Sequence, residues 1–288
     1  MIRIGLDVGG TSLKLGVVDD QARIVHRAVR PSVHNCQGLA IEIAQMIQDT
    51  RKLFPGAPFG VSCPGDFDDD GMLSANQLCI EHEPLKQTVV GLLGEEIPWE
   101  NDGVCAVLAE LDSGSLKGCE SALMITIGTG IGGGAVVNGK VCRGYHGTHA
   151  ELGHMITHVH GERCSCGRTG CWECYAAASA LSKMAGGMPV REIVDHVQQG
   201  LMLDIWNRWL TELAQGLIGL SSIFNPEKIA IGGGISNADD LLLNDLQKTL
   251  MADQGYANYH AFVKLVTAKY KNDAGILGAA ALVNSDKN

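Results

Sequence analysis

Apolar and polar positions alternate at the start of the chain in three short β-prone runs. Residues 2–8 and 12–18 are separated by Gly9-Gly10-Thr11, and 22–29 follows. Tight turns join them as three antiparallel strands. The period then becomes helical over 37–53, where Leu39, Ile43, Met46, Ile47 and Leu53 fall on one face. Pro55 and Pro58 bound that helix. Residues 57–62 read as a strand, Cys63-Pro64-Gly65 as a turn, and 97–100 as a strand entering Asn101-Asp102. Residues 103–112 are a helix.

The second half repeats this grammar. Strands at 121–127 and 134–137 flank a glycine-rich turn, with 140–142 a third. Helices are predicted at 172–183, 190–199 and 203–224. A strand at 229–231 ends in Gly232-Gly233-Gly234. Residues 238–251 are helical, 262–266 a strand, and 274–284 a terminal helix. Two halves that each open with strand, glycine turn and strand predict a duplicated α/β unit with a ligand cleft between the halves. The expected division is 1–113 and 114–288, with a short hinge near 112–118. The terminal helix is expected to pack back on the first domain.

Composition narrows the function. With 288 residues, 45% apolar and 19% charged, the chain has enough apolar residues for the cores of two domains. A formal net charge of -10 argues against nucleic acid, which needs a basic surface. A small phosphorylated ligand is still allowed, because backbone N–H groups and a metal ion suffice for it. No apolar run reaches the length of a membrane span, so no membrane partner is expected. The opening Met1-Ile2-Arg3-Ile4-Gly5-Leu6-Asp7 is interrupted too soon for a signal peptide, and a cytoplasmic location is expected. In that compartment ten cysteines are not a disulfide framework. Seven of them (Cys36, Cys63, Cys79, Cys105, Cys119, Cys142 and Cys174) read as small buried hydrophobes.

Several segments carry candidate chemistry. In Asp7-Val8-Gly9-Gly10-Thr11 a strand delivers a carboxylate to a tight turn. Its N–H groups and the Thr11 hydroxyl suit terminal phosphates, and Asp7 is placed to hold magnesium through water. An ordinary Gly-Gly hairpin accounts for the same residues. Gly128-Thr129-Gly130-Ile131-Gly132-Gly133-Gly134 contains G-x-G-x-x-G, but a strand follows it. A dinucleotide site needs a helix start there, so the segment is read as a phosphate clamp between strands. Gly233 and Gly234 permit close approach of a nucleoside, and Asn272-Asp273-Ala274-Gly275 permits tight packing at the last helix.

Asn101-Asp102 puts a carboxylate at a helix start, where a general base is useful and where helix caps are also favoured. The most specific pattern is His154 followed by Cys164-Ser165-Cys166 and Cys171, a Cys3His set suited to zinc. With four protein ligands no position is open, so the metal is expected to be structural. His158 and His160 are competing donors. Glu151 and Glu173 flank this segment, and folding around a metal brings them together as acceptors for sugar hydroxyls. Simple solvation on a helix surface also explains Glu173.

These motifs together resemble the ROK family of sugar kinases and repressors, within the actin-like ATPase superfamily, over about residues 4–281. The resemblance rests on Asp7-x-Gly9-Gly10-Thr11, Pro64-Gly65, Glu100-Asn101-Asp102, Gly128 to Gly134 and Glu151-Leu152-Gly153-His154. It also rests on Cys164-x-Cys166-Gly167-x-x-Gly170-Cys171-x-Glu173, Gly232-Gly233-Gly234 and Asn272 to Gly275. It implies a two-domain ribonuclease H-like fold, a homodimer, and ATP-dependent, magnesium-assisted phosphoryl transfer to a hexose 6-hydroxyl. Asp102 would be the base. Asn101, Glu151, His154 and Glu173 would hold the sugar. Asp7, Gly9, Gly10, Thr11, Gly128, Thr129, Gly130, Gly132, Gly133, Gly233 and Gly234 would grip ATP. His154, Cys164, Cys166 and Cys171 would bind zinc. Departures from the family pattern include His149-Ala150 before Glu151, Ala177-Ala178 where Ser-Gly is common, and Ser12 after Thr11. These leave glucose-like and N-acetylmannosamine-like substrates both open. A repressor of this family would need a helix-turn-helix domain ahead of a motif that here begins at residue 7.

Overall fold

β1 (Arg3–Val8) is buried almost throughout, as a strand covered on both faces should be. It pairs antiparallel with β2 (Ser12–Val18), which pairs with β3 (Ile24–Pro31). After α1 (Cys36–Leu53), β4 (Phe59–Cys63) lies parallel on the other side of β1. A three-stranded ribbon follows, made of β5 (Asp66–Phe67), β6 (Leu73–Ala75) and β7 (Ile80–Glu83). Next come α2 (Leu85–Leu93), β8 (Trp99–Asn101) and α3 (Asp102–Ser113). The main sheet therefore has the order β3-β2-β1-β4-β8. This computed structural model describes residues 2–145 and 151–285, and the chain divides in it into two units.

The second unit carries β9 (Ser121–Ile127), β10 (Ile131–Val137) and β11 (Lys140–Val141). A helical stretch follows: α4 (Glu173–Ala176), α5 (Ala178–Met184), α6 (Val190–Gln198) and α7 (Leu203–Phe224). Then come β12 (Lys228–Gly232), α8 (Asp239–Ala252), α9 (Gln254–Tyr259) and β13 (Lys264–Thr267). Its sheet has the order β11-β10-β9-β12-β13, with the first three strands antiparallel and the last two added in parallel. Strand for strand this repeats the first sheet. Trp172, Trp206 and Trp209 fill its core beside Leu210, Leu213 and Leu217.

The last helix, α10 (Ala274–Ser285), belongs to the first unit, together with a stretch beginning at Arg143. Glycines explain why it lies so close. A Cβ on Gly5 would strike the Ile276 carbonyl, and one on Gly60 the Ala279 carbonyl. One on Gly278 would strike the Cys105 carbonyl of α3. Arg143 is held by Glu100, its Nε donating to Oε2 at 2.6 Å. The division at 113/114 expected from sequence is thus displaced: residues up to Lys117, the Arg143 stretch and everything from Asn272 go with the first unit.

Three expectations are corrected. The 172–183 helix breaks at Ala177, whose ψ is 164°. There the Ala178 N–H turns to the Gly128 carbonyl at 3.0 Å, and Trp209 Nε1 donates to the Ala176 and Ala177 carbonyls. The second glycine turn is only Gly128-Thr129-Gly130, because β10 resumes at Ile131. The ribbon, α2 and α9 are absent from the sequence reading. Strands of two to four residues show too few alternations to register. Among the described residues no helix is long and apolar enough to cross a membrane.

Candidate functional site

The Gly9-Gly10-Thr11 turn is pinned by its carbonyls. Ser32 Oγ donates to Gly9 O, His34 Nε2 meets Gly10 O at 2.8 Å, and Ser32 N donates to Thr11 O at 3.2 Å. In a trans peptide the next N–H points opposite to the carbonyl. The Gly10 and Thr11 N–H groups are therefore aimed away from Ser32 and His34, as a backbone anion cradle requires. Asp7, at the end of β1, accepts from Ser62 Oγ at 3.1 Å. Burial pushes its carboxyl above the usual range, and Asp102 raises it further, while Ser62 and Lys14 oppose. The bare Gly275 backbone of α10 packs directly against this carboxylate.

At the end of β8 the neighbouring Asn101 and Asp102 take different roles. Asn101 caps α3: its Oδ1 accepts from Gly103 N at 2.8 Å and Val104 N at 3.3 Å. Its Nδ2 donates to Gly65 O at 3.1 Å, so one amide hydrogen is left for a ligand. Asp102 is exposed and accepts from Gly103 N at 2.8 Å. The capping role left open by the sequence thus goes mainly to Asn101.

In the second unit, Glu173 starts α4 and its carboxylate joins three features. Oε2 accepts from Ile131 N at 3.4 Å, beside the glycine turn. Oε1 lies 3.5 Å from His154 Nδ1 and 3.0 Å from Cys164 Sγ. Glu151 approaches the other imidazole nitrogen at 3.9 Å. Around them His154, Cys164, Cys166 and Cys171 bring four donor atoms within 4.8 Å of one another. Cys166 and Cys171 sulfurs are 3.6 Å apart. Bonds of about 2.3 Å to a tetrahedral ion would put two sulfurs about 3.8 Å apart, so the donors fit zinc. The loop between them turns back through Gly167 and Gly170, both at positive φ. His158 is occupied elsewhere, stacked on Tyr175 at 3.8 Å and facing Glu212 at 3.4 Å.

A cavity of about 660 Å³ opens in the same unit. Gly128 and Thr129 form one wall, Gly234 and Ile235 another, and α6 supplies Val190 and Val194. Ser179 Oγ fixes the turn by donating to Thr129 O at 2.6 Å. Gly128 and Gly234 have open space where a Cβ would stand. Gly133 and Gly233 have packing reasons instead: a Cβ there would strike the backbones of Met124 and Ile127. Gly132 and Gly133 lie within β10 and are not at the turn tip. The sequence reading predicted the α6 helix at 190–199 but did not assign it to this cavity. Its signal was a second apolar pair, Val190 and Val194, beside the buried pair Ile193 and Val197. His149 and Ala150 lie outside the described residues.

Comparison with known proteins bears on this arrangement. The ROK family model matches residues 3–286. The chain is 31% identical to a glucokinase of Thermotoga maritima, with 97% of this chain and 96% of that one covered. It is 29% identical to an N-acetylmannosamine kinase of Shigella boydii over the full length of both. Its fold matches a ROK family glucokinase from Streptomyces griseus in complex with glucose and AMPPNP, with a TM-score of 0.76. That match has 28% identity and covers 98% and 99% of the two chains.

Proposed function

We propose, from the premise that this chain belongs to the ROK family and is an ATP-dependent sugar kinase, that it phosphorylates the 6-hydroxyl of a hexose with Asp102 as the general base. The observation that carries the base assignment is the division of labour at the start of α3. Asn101 takes the cap, so the neighbouring exposed carboxylate is not needed to close the helix.

The roles follow from the donors and acceptors. Glu151, Glu173 and the Nε2 of His154 accept from or donate to sugar hydroxyls, and the remaining Asn101 amide hydrogen adds one contact. Asp102 takes the hydroxyl proton as the sugar oxygen attacks the γ-phosphorus and ADP leaves. The Gly10 and Thr11 N–H groups hold phosphate oxygens. The turn at Gly128 to Gly130 and the cavity beside it receive the rest of the nucleotide, with Gly233 and Gly234 at its edge. Magnesium, held through water at Asp7, would offset phosphate charge. Zinc, held by His154, Cys164, Cys166 and Cys171, would be structural, since four protein ligands leave no open position. A homodimer and a cytoplasmic location belong to the same reading, and sedimentation velocity tests the first.

A coupled assay of ADP release against glucose, mannose, N-acetylglucosamine and N-acetylmannosamine tests the substrate. Glucose is expected to have the highest kcat/KM, and its 6-deoxy analogue to be inert. Preference for N-acetylmannosamine would replace the glucokinase-like assignment with the alternative that the Shigella relative supports.

A further inference from the structure

Of the ten cysteines only Cys79 and Cys166 are exposed, and Cys166 is one of the four clustered metal donors. Cys79, counted with the buried thiols in sequence, instead stands at the surface of the first unit. It ends the 3₁₀ turn Asn76–Leu78 in a left-handed conformation, with φ 55°. Its Sγ lies 3.8 Å from His34 Nδ1. The same ring reaches the Gly9-Gly10-Thr11 turn, with Nε2 2.8 Å from the Gly10 carbonyl oxygen. Gln77, two residues before the thiol, packs on Gly10 as well: a Cβ there would come within 3.2 Å of the Gln77 carbonyl oxygen. The hydrogens of this relay are fixed from its far end. A carbonyl oxygen only accepts, so Nε2 carries the ring proton and donates. A neutral imidazole has one N–H, so Nδ1 is a bare acceptor and the hydrogen between it and the sulfur belongs to the thiol. Nδ1 is therefore placed to take that proton as the sulfur attacks an electrophile, which is how a neighbouring base activates a nucleophilic thiol. Replacing the thiol hydrogen by a larger group leaves lone pairs facing each other across this contact. Moving the ring proton to Nδ1 relieves that repulsion only by taking the Nε2 donor from the Gly10 carbonyl.

From this geometry we propose that Cys79 is a modification site for low-molecular-weight disulfides, and that His34 relays its state to the Gly9-Gly10-Thr11 turn. The proposal rests on reading that turn as the grip on ATP phosphates. In the reaction the Cys79 sulfur attacks one sulfur of the disulfide, a new S–S bond forms and the old one breaks. The thiol proton passes through His34 Nδ1 to the departing thiolate. Cys79 is thereby oxidised and the other half of the disulfide is reduced to a thiol. With the Gly10 carbonyl released, the Thr11 N–H of the same peptide loses its fixed aim, and the hold on ATP weakens. The sugar contacts proposed above use other residues.

The test treats the full chain with oxidised glutathione, beside Cys79→Ser and His34→Ala. Peptide mass analysis should place the glutathione adduct on Cys79. The ATP KM should rise about 3–10-fold, the worth of one hydrogen bond, with sugar affinity by calorimetry unchanged. Dithiothreitol should remove the adduct and restore the KM. Cys79→Ser keeps a hydroxyl donor, and should keep the ATP KM of untreated wild type in the presence of the reagent. His34→Ala should show a raised ATP KM without any reagent, and should slow labelling of Cys79 about 10²-fold, the lower end for a positioned base. Labelling of other thiols with Cys79 untouched overturns the proposal. So does labelling of Cys79 at an unchanged rate in His34→Ala, or an unchanged ATP KM in the labelled protein. An untreated chain without ATP-dependent phosphorylation would sink the function reading instead, and the labelling rates would still decide whether His34 activates Cys79.

Discussion

The two sheets of this protein are the same drawing with different chemistry at the strand ends. Each has three antiparallel strands, then two parallel additions in the same order. In the first unit the third strand of that order carries Asp7 next to its last residue, and the fifth ends at Asn101, with Asp102 following. In the second, the third is followed by Gly128 and the fourth ends at Gly232, followed by Gly233-Gly234. At these strand ends the first copy offers Asp7 and Asp102 beside its Gly9-Gly10 turn, and the second offers bare glycine backbone. The loop after β11 of the second copy adds the thiol cluster. A duplicated fold supplies equivalent positions, and the residues at those positions differ between the copies.

The sharpest way to break that contrast is Asp102→Asn. It keeps the size of the side chain at the start of α3 and leaves the Asn101 cap in place. Turnover should fall about 10²–10⁴-fold, with sugar affinity by calorimetry little changed. Near-normal kcat would reduce Asp102 to a bystander of the cap.

Cys166→Ala attacks the second unit. Metal analysis should show zinc loss, and the segment from Glu151 to Glu173 should loosen. The expected kinetic result is a sugar KM raised about 10–100-fold with ATP KM nearly constant. A native preparation that is fully active without zinc would remove the metal from the account.

Gly216→Ala and Gly5→Ala ask whether packing glycines differ between the copies. A Cβ on Gly216 would drive into the Trp172 indole, between Cys171 and Glu173. A Cβ on Gly5 would meet only the backbone of α10. Each should cost about 1–3 kcal/mol by denaturant unfolding. Only Gly216→Ala should also raise the sugar KM. Equal effects on KM would mean that Trp172 does not support Glu173.

Much of this was readable in the chain. Strong periodicity located α1 and α7, and the strand–glycine–strand openings identified the repeat. The Cys3His spacing located the thiol cluster. What was not readable depended on distant partners. Gly132 and Gly133 looked like a loop because nothing local says that they pair with Thr126 and Ile125. The break at Ala177 depends on a carbonyl almost 50 residues away, at Gly128. Asn101 and Asp102 are equally good caps in sequence, and only the bonds to Gly103, Val104 and Gly65 tell them apart.

The smallest expected effect concerns the carboxylate that the first copy keeps at the end of β1. Burial raises the pKa of Asp7 above its ordinary 3.8, and the Asp102 charge adds to the rise, against the opposing Ser62 and Lys14. For a group raised in the folded state, the stabilising contribution is present in full below the unfolded pKa. It is lost as pH rises through the folded one. Above its raised folded pKa, Asp7 is a desolvated charge at a net cost to stability, which a neutral isostere would not incur. Asp7→Asn should accordingly raise Tm slightly at pH 7. The gain should shrink as pH is lowered through the raised pKa and vanish below about 3.8, the reference carboxylate value. If Asp7 holds magnesium through water as proposed, the same variant should lose activity most at limiting magnesium. A lower Tm at pH 7 would mean that the Ser62 hydrogen bond and Lys14 outweigh burial, and that Asp7 contributes to the stability of the strand end.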